Sequence, residues 1–402
     1  MPLLSVADAL ARVLEHATPL PAEEAPAAEA DGRVLVYALK ARRTQPPADV
    51  SAMDGYAVRA NDVANPPVRL KVVGEVTAGR LLAHSVGPGE AARIFTGGVM
   101  PDGADTIVIQ EHAKRDGDNV EVERSSAKGR HIRVQGLDFK AGEVLLPAGH
   151  RLTARGLALA AAMNHPLVPV HRRPKIALFA TGDELVPPGV EPAPGQIVSS
   201  NTISLAALAR AEGAIVDDLG IVGDRLDDTV AAVRRARTNG ADILLTSGGA
   251  SVGDYDLVQK AFTAEGMTLS FWRLALRPGR PLMHGRLGAT AVLGVPGNPV
   301  SAFVCGFLFL VPLIRRLSGR ADLAPPTEPA ILGCDLPEND ERADYLRAAL
   351  KDSPQGPVAT PFPIQDSSMI APLAKSDCLV IREAHEPTAK AGSRCTIVRF
   401  AR

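Results

Sequence analysis

From about residue 173 to residue 320, short apolar runs alternate with helical segments. The runs KIALFAT and ADILLTS have the length and apolar content of buried strands, whereas DDTVAAVRRART carries its apolar residues at helical spacing. Strands that alternate with helices in this way form βαβ units, in which a parallel sheet is covered by helices on both faces. We therefore predict a central, doubly wound α/β domain over residues 173–322.

The segments on either side of this domain have a different pattern. Between about residues 66 and 150, β-like runs such as VRLKVVGEV alternate with Gly, Pro and Asp turns, which predicts a β-rich unit. Short strands return after the proline-rich APPTEP and predict a small C-terminal β-barrel or sandwich. We also predict an amphipathic helix over residues 5–17 and a second helix over 153–165, with Thr153 as its N-cap.

Charge and composition exclude several classes of function. The net charge of −1 provides no field that would attract nucleic acid or an anionic membrane. The four cysteines form no CxxC pair, so we expect reduced thiols in a cytoplasmic protein rather than a zinc or dithiol site. The uncharged run 300–314 is shorter than the about 20 residues that a membrane span needs, and we predict a buried helix there. The chain has no P-loop, no GxGxxG after the first strand and no HExxH.

Four strands of the predicted α/β domain run directly into glycine and polar or acidic residues. KIALFAT continues into GDEL, GIV into GDR, ILL into TSGGASVGDYD, and VLGV into PGNP. Ligands of open α/β sheets bind beyond the carboxyl ends of the strands, so these junctions are candidate site positions. Taken singly, a TSGG loop is typical of a tight turn and an aspartate after a strand is typical of a helix N-cap. Four such junctions in one domain favour a ligand site.

The residue types at these junctions fit a phosphate-bearing ligand. Glycine lets backbone N–H groups approach phosphate oxygens. Further donors come from the hydroxyls of Thr246, Ser247 and Ser251. Carboxylates do not bind phosphate directly, so acidic residues beside such loops indicate a bridging Mg²⁺. These acidic residues are Asp224, Asp254 and Asp256.

Two arginines in LRPGRP, Arg277 and Arg280, could supply fixed positive charge to an oxyanion. An arginine taken by itself is more often a surface charge. In the N-terminal half, SAMDGYAV places Asp54 at a tight bend, and FTGGVMPDGADTIV repeats the chemistry of the TSGG loop with Thr96 followed by two glycines. Each of these two segments by itself also fits a structural turn.

Together these motifs resemble one family. SAMDGYAV, FTGGVMPDGADTIV, ATGDEL, SSN, GIVGD, LLTSGGASVGDYD, RPGRP and VPGNPVSA occur in the order seen in molybdopterin molybdenumtransferases, and the chain is also similar to the E-domain of gephyrin. The resemblance implies four domains: an elongated, discontinuous N-terminal domain (1–50 and 138–172), an inserted β-rich domain (51–137), the α/β molybdopterin-binding domain (173–322) and a C-terminal β-barrel (325–402). It also implies a homodimer, whose cleft forms between the third domain of one subunit and the second domain of the other.

The implied reaction takes adenylylated molybdopterin and molybdate as substrates, requires Mg²⁺ and releases AMP. Carried over by motif, the catalytic residues are Asp54, Thr96, Glu184, Asp224 and Asp256, with Asp224 and Asp256 as metal ligands. The family register ranks Asp256 above Asp254. The residues expected to bind substrate are Thr181, Gly182, Asp183, Ser200, Asn201, Thr246, Ser247, Gly248, Gly249, Ser251, Gly253, Arg277, Gly279, Arg280, Pro296, Asn298, Arg347 and Ser367.

Some of these assignments depart from the family pattern or are carried over from short sequence motifs. Arg280 stands where the family commonly has lysine, which replaces a point charge by a bidentate fork. Arg347 is assigned from RADYLRA, and Ser367 is preferred to Ser368 in DSSMIAPLA.

Two other functions use much of the same sequence. A molybdopterin adenylyltransferase would need the α/β loops but not SAMDGYAV or the flanking β domains. A non-catalytic, gephyrin-like scaffold would keep the fold and lose the carboxylates. The resemblance also implies transient contact with other enzymes of molybdenum-cofactor synthesis, and no nucleic-acid or membrane partner.

Overall fold

The central unit is a six-stranded sheet with helices on both faces. The computed structural model, which describes residues 3–248 and 257–400, orders its strands across the sheet as Ile215–Val222, Lys175–Thr181, Ile243–Ser247, Thr290–Val295, Met283–Leu287 and Thr268–Phe271. Its helices are Asn201–Ala211, Leu226–Thr238, Leu257–Ala264, Pro299–Cys305 and Val311–Leu317, the last two joined by a π-helical turn, Gly306–Leu310.

Side chains of one strand alternate between the two faces of this sheet. Ile176 and Leu178 belong to a large core on one face, whereas Ala177 and Phe179 belong to a second core on the other. Both faces of the sheet are therefore covered, which confirms the predicted α/β class.

The sheet is mixed rather than wholly parallel, and in this respect the prediction was wrong. Its first four strands are parallel, but Met283–Leu287 runs antiparallel to both of its neighbours. The strand is joined to Thr290–Val295 through only Gly288 and Ala289, with Gly288 at a φ of 62°. A two-residue connection can join only antiparallel strands, because a parallel crossover needs a dozen residues or more.

The apolar helical run Pro299–Leu317 lies in the core. It is long and apolar enough to cross a membrane by length and composition, but 83% of its most apolar window is buried inside the structure. Its buried residues, among them Val304 and Phe309, pack in the larger core of the central unit. The predicted buried helix at 300–314 is thus confirmed.

An N-terminal unit is assembled from two distant parts of the chain. Its strand pairs are antiparallel: Ala22–Pro26 with Leu167–His171, Leu39–Lys40 with Val144–Leu146, and Val50–Ser51 with Ile132–Arg133. Helix Ala154–Ala162 packs on them, and the Thr153 hydroxyl accepts a hydrogen bond from the backbone N–H of Gly156, as the predicted N-cap requires.

The first helix, Val6–Leu14, does not join the N-terminal unit. Its buried residues Ala9 and Val13, together with Ala17, belong to the large core of the central unit. Leu20 donates its backbone N–H to the carbonyl of Leu317 at 2.8 Å, which fixes this segment against the last helix of that unit. The domain boundaries remain a prediction, and this helix departs from the expected grouping.

Two β structures complete the fold. The inserted unit is a six-stranded sheet in the order Thr106–Ile109, Gly55–Val58, Glu90–Ile94, Val68–Val76, Asn119–Val122 and Ala113–Asp116. The C-terminal unit closes five strands into a barrel in the order Ala343–Lys351, Val358–Pro361, Thr327–Leu332, Arg394–Arg399 and Cys378–Arg382. The short strand Leu276–Arg277 of the central unit pairs with Ala343–Asp344 and joins the two units.

The remaining short elements lie in connections. These are strands Leu185–Val186 and Ile197–Val198, which pair with each other, helix Ile370–Ala374, and the 3-10 turns Ala27–Glu29, Ala60–Val63 and Gln110–His112.

Candidate functional site

Four parallel strands of the central sheet end side by side. In the sheet register Thr181 faces Val222, Ala180 faces Ser247, and Ser247 faces Val295. The loops after these strands therefore emerge along one edge, which we call the rim: residues 181–184, 222–224, 246–248 and 295–298. The structure brings together the four strand–loop junctions that the sequence pattern singled out.

The middle of the rim is a close contact between two of these loops. Gly248 has a φ of 91° and donates its backbone N–H to the carbonyl of Val295 at 3.2 Å. A Cβ atom at Gly248 would lie 2.5 Å from the carbonyl oxygen of Thr181, so only glycine fits there. Beside it, the hydroxyls of Thr181 and Thr246 are buried and have no hydrogen-bond partner among the described residues. Buried hydroxyls left without a partner are candidate donors for a ligand.

Asn201 connects two loops of the rim. Its side-chain amide donates to the hydroxyl of Ser247 at 2.8 Å and to the carbonyl of Gly297 at 2.7 Å. Asn201 begins the helix that follows Ser200, and Gly297 follows Pro296. The SSN, TSG and VPGNP motifs are thus in direct contact, although about 50 residues or more separate each pair in the sequence.

Carboxylates lie at one end of the rim, on the loops 181–184 and 222–224. The backbone N–H of Asp224 donates to the Asp183 carboxylate at 3.0 Å, and the backbone N–H of Asp183 donates to the Asp224 carboxylate at 3.3 Å. The carboxylate of Glu184 lies over Gly182, 2.5 Å from where a Cβ atom would stand. This reciprocal arrangement fixes two exposed aspartates next to each other, a pairing that the sequence did not reveal.

These acidic oxygens fit the chemistry of Mg²⁺. The ion prefers oxygen ligands and is usually held by one or two carboxylates together with substrate phosphates and water. Within residues 3–248 and 257–400, no group of three or more His, Cys, Asp or Glu side chains is arranged to hold a metal ion. Asp256, the predicted partner of Asp224, lies outside the described residues, as do Gly249, Ser251, Gly253 and Asp254.

The barrel contributes one loop to the rim. Asn298 donates its side-chain amide to the Ser367 hydroxyl at 2.8 Å, and the backbone N–H of Val300 donates to the Ser367 carbonyl at 3.0 Å. Ser368 instead donates its hydroxyl to Asp366 within its own turn. The structure therefore brings Ser367, and not Ser368, to the predicted site.

Arg347 lies behind this loop rather than at the surface. It is only 1% exposed, and its guanidinium donates to the carbonyls of Met369 at 2.8 Å and Asp366 at 2.9 Å. Burial lowers the pKa of this guanidinium, while the Asp366 charge opposes that shift. Arg347 can therefore influence a ligand only through the loop that carries Ser367.

The two arginines of RPGRP have different surroundings. Arg277 forms ion pairs with Asp340 and, at 3.2 Å, with Asp344, so its charge is used between the central unit and the barrel. Burial raises the pKa of Asp344, and the charge of Arg277 opposes that shift. Arg280 is exposed and has no side-chain partner in the described part of the chain. Between them Gly279 packs against Cys305, whose sulfur lies 3.7 Å from the glycine carbonyl.

Asp54 and Thr96 are in direct contact on the inserted unit. The backbone N–H and the hydroxyl of Thr96 both donate to one carboxylate oxygen of Asp54, at 2.7 and 2.8 Å. These two bonds, the backbone one first, hold the pKa of Asp54 below its usual value. The bend exists because Gly55 lies against the next strand, where a Cβ atom would stand 2.1 Å from the carbonyl oxygen of Val108.

Arg93 supports the same bend and was missed in the sequence. Its guanidinium lies over the rings of Phe95 and Tyr56, 4.6 and 5.2 Å from their centroids, and donates to the carbonyl of Gly55 at 3.0 Å. An arginine within the apolar strand ARIF is the signal that could have found it.

The Asp54–Thr96 pair is not bonded to the rim within the described part of the chain. No hydrogen bond, ion pair or strand pairing in the described residues joins the inserted unit to the rim loops. The predicted site residues thus form two groups, one on the central unit with Ser367 and one on the inserted unit.

The three main parts of this architecture each match a protein-family model. Residues 177–316 match the model described as "Probable molybdopterin binding domain". Residues 4–164 match the "MoeA N-terminal region (domain I and II)", and residues 329–400 match the "MoeA C-terminal region (domain IV)". The α/β unit with its rim therefore defines a multidomain protein of the molybdopterin-binding class.

Individual relatives identify the family within this class of proteins. A molybdopterin molybdenumtransferase of Nostoc sp. is 40% identical over 80% of this chain and 75% of its own length. Another, from Haemophilus influenzae, is 32% identical over 92% of both chains. The crystal structure of a molybdopterin biosynthesis MoeA protein from Pyrococcus horikoshii covers 100% of both chains with a TM-score of 0.84 and 28% identity. The chain belongs to the molybdopterin molybdenumtransferase family, the MoeA proteins, and is a transferase.

Proposed function

We propose that this enzyme inserts molybdenum into adenylylated molybdopterin, with molybdate as the second substrate, and releases AMP. The names of its relatives support molybdenum transfer in cofactor synthesis. The observation that carries the finer proposal is the rim, where phosphate-type donors in the middle lie beside paired carboxylates at one end. A phosphoanhydride substrate needs both.

The chain's own residues have separate tasks in this proposal. The free hydroxyls of Thr181 and Thr246 and the backbone near Gly248 hold phosphate oxygens in a site partly shielded from water. Asn201 and Asn298 keep the surrounding loops in register through their contacts with Ser247 and Ser367. Arg280, exposed and unpaired among the described residues, attracts molybdate.

Asp224, with Asp183 beside it, would hold Mg²⁺, and Asp256 is proposed as a further ligand. When bound, the ion neutralises phosphate charge as the bond to AMP breaks. The mutual hydrogen bonds of Asp183 and Asp224 orient both carboxylates before any ion arrives.

Asp54 and Thr96 would complete the site from a second copy of the chain. Because the pair has no hydrogen bond or ion pair to the rim among the described residues, we infer a homodimer in which the inserted unit of one subunit faces the rim of its partner. The proposed location is the cytoplasm, which the free state of all four cysteines supports. Transient contacts with enzymes that deliver the substrate or accept the cofactor belong to the same proposal.

A direct assay tests the reaction. The protein is incubated with adenylylated molybdopterin, molybdate and Mg²⁺, and AMP release and cofactor formation are measured. Consumption of ATP with free molybdopterin would instead identify an adenylyltransferase, and turnover in neither assay would identify a scaffold.

A mixing experiment tests the shared site. At a limiting Mg²⁺ concentration, the variants Asp54→Asn and Asp224→Asn are each expected to retain little activity. When equal amounts exchange subunits, half of the dimers are mixed and each has one intact cleft, so about a quarter of the wild-type activity should return. No recovery after verified exchange would contradict a site built from two chains.

A further inference from the structure

A cavity lies at the end of the central sheet opposite the rim. It has a volume of about 360 Å³ and is lined by residues 31–34, 151, 171–173, 210–214 and 318. Arg173 precedes strand Lys175–Thr181 and Ala214 precedes strand Ile215–Val222, so the cavity lies at the amino ends of strands whose carboxyl ends form the rim. A strand of seven residues at about 3.3 Å per residue separates the two places by roughly 20 Å.

Arginine dominates the lining of this cavity. Five arginines contribute to it: Arg33, Arg151, Arg172, Arg173 and Arg210. They come from the N-terminal unit, from the connection that follows it and from the central unit. Such a concentration of guanidinium groups in one concave place repels itself unless carboxylates or a ligand neutralise it.

Two of these arginines are already neutralised. Arg172 forms a bidentate pair with Asp242, at 2.7 and 2.6 Å, and Arg33 is paired with Glu23 and donates to the carbonyl of His171 at 2.7 Å. These pairs hold the walls of the cavity in place. Their charges contribute little to the attraction of a ligand.

The other three arginines are free. Arg151, Arg173 and Arg210 are exposed and have no side-chain ion pair or hydrogen bond in the described part of the chain. Two carboxylates also line the cavity, but Glu212 is paired with Arg315 at 2.6 Å and with Arg320 at 2.5 Å, which leaves only Asp31. The lining therefore has a surplus of two positive charges.

Arg210 stands in the last turn of helix Asn201–Ala211, where a cation often caps free carbonyls. That role is already filled by the backbone. Gly213 donates to the carbonyl of Arg210 at 2.9 Å, and Ala214 donates to the carbonyl of Ala209 at 3.1 Å. The guanidinium of Arg210 is therefore available to a molecule in the cavity.

We propose that this cavity binds a small phosphate-bearing molecule, separately from the substrate site at the rim. Guanidinium groups recognise phosphate oxygens with paired, charge-assisted hydrogen bonds, and the volume accepts a phosphate with a sugar attached. The lining has no Phe, Tyr or Trp side chain on which a nucleobase could stack, and its one imidazole, His171, is hydrogen-bonded to the carbonyl of Leu20. The site is built from this chain alone and does not depend on the proposed function.

Isothermal titration of the full chain with inorganic phosphate, at about 0.15 M chloride to screen weak surface attraction, tests the site. The double variant Arg151→Gln/Arg210→Gln should weaken phosphate binding by about tenfold or more, since it removes two charge-assisted contacts. Arg235→Gln is the matched control, because Arg235 stands exposed in the last turn of the next helix along the chain and lies outside the cavity. Ribose 5-phosphate in a second titration distinguishes a sugar phosphate, which should bind more tightly, from free phosphate.

Phosphate binding at the rim has to be separated from binding in the cavity. Arg280→Gln should leave the titration unchanged, because Arg280 precedes strand Met283–Leu287, whose first residue pairs with Gly294 at the rim end of the sheet and not at the cavity end. The proposal is overturned if Arg280→Gln removes the signal while the double variant keeps it. It is also overturned if the wild-type chain binds no phosphate. Thermal unfolding of each variant verifies that the fold is intact, which is expected since the substituted side chains have no ion pair or side-chain hydrogen bond within the described residues.

Discussion

Thr96 donates both its backbone N–H and its hydroxyl to the same carboxylate oxygen of Asp54, at 2.7 and 2.8 Å. The pair spans 42 positions of the sequence and holds an exposed carboxylate in one orientation. Both bonds favour the ionised form, so the pKa of Asp54 is lowered and the group stays charged into acidic solution.

Thr96→Val removes the hydroxyl bond and keeps the backbone bond. The pKa of Asp54 should therefore rise part of the way toward its usual value, and Asp54 should become protonated at a higher pH. If the ionised form is the active one, the acidic limb of the pH profile for AMP release moves to higher pH. Thr96→Ser retains the hydroxyl and should keep the wild-type profile. A Thr96→Val profile that coincides with wild type would exclude a catalytic role for the hydroxyl bond.

Asp224→Asn should raise the Mg²⁺ concentration needed for half-maximal AMP release by roughly tenfold or more, because it removes a charged oxygen ligand. Asp227→Asn is the control, since Asp227 is exposed and lies only three residues away in the first turn of the next helix. Titration of activity with Mg²⁺ distinguishes the two variants. Equal Mg²⁺ requirements for wild type and Asp224→Asn would rule out the assigned metal role.

Gly248→Ala should destabilise the protein more than Gly213→Ala does. The two glycines have similar φ values of 91° and 88°, but the new Cβ meets the carbonyl of Thr181 only at position 248. We expect a loss of about 1 kcal/mol at Gly213 from backbone strain alone, and roughly 2–4 kcal/mol at Gly248. Denaturant unfolding measures both losses. Similar values would mean that the rim loop moves to accept the methyl group.

Ser367→Ala should raise the KM for adenylylated molybdopterin by about threefold to tenfold, because Asn298 loses the hydroxyl that orients its amide. Ser368→Ala is a matched control in the next residue, where the hydroxyl bonds only to Asp366. Steady-state kinetics of both variants shows which of the two serine hydroxyls affects the KM. A larger effect at Ser368 would reverse the assignment within this loop.

Local patterns in the sequence were sufficient to predict the elements that carry the rim. Lys175–Thr181 and Ile243–Ser247 are short, apolar and followed by glycine and polar residues. Both the strands and the candidate site positions at their carboxyl ends could therefore be recognised. The antiparallel strand Met283–Leu287 was not recognised, because its direction follows from a two-residue turn and not from its own composition.

Long-range contacts account for what the sequence did not predict about the site. The mutual hydrogen bonds of Asp183 and Asp224 join residues 41 positions apart. The sequence around either residue does not identify the other as its hydrogen-bond partner. Arg347 matched a motif, but its burial depends on a loop about 20 residues further on. No hydrogen bond among the described residues fixes Asp54 relative to the rim, and in the proposed homodimer this position would depend on the second subunit.

The docking of the first helix against the last helix of the central unit has a consequence for synthesis. Leu20 and Leu317, which are hydrogen-bonded in the folded chain, leave the ribosome about 300 residues apart. At about 5–20 residues per second, this interval lasts roughly 15–60 s. The apolar face of Val6–Leu14 therefore lacks the helix Val311–Leu317 while most of the protein is synthesised. We expect chaperones that protect nascent chains to bind this segment during that interval.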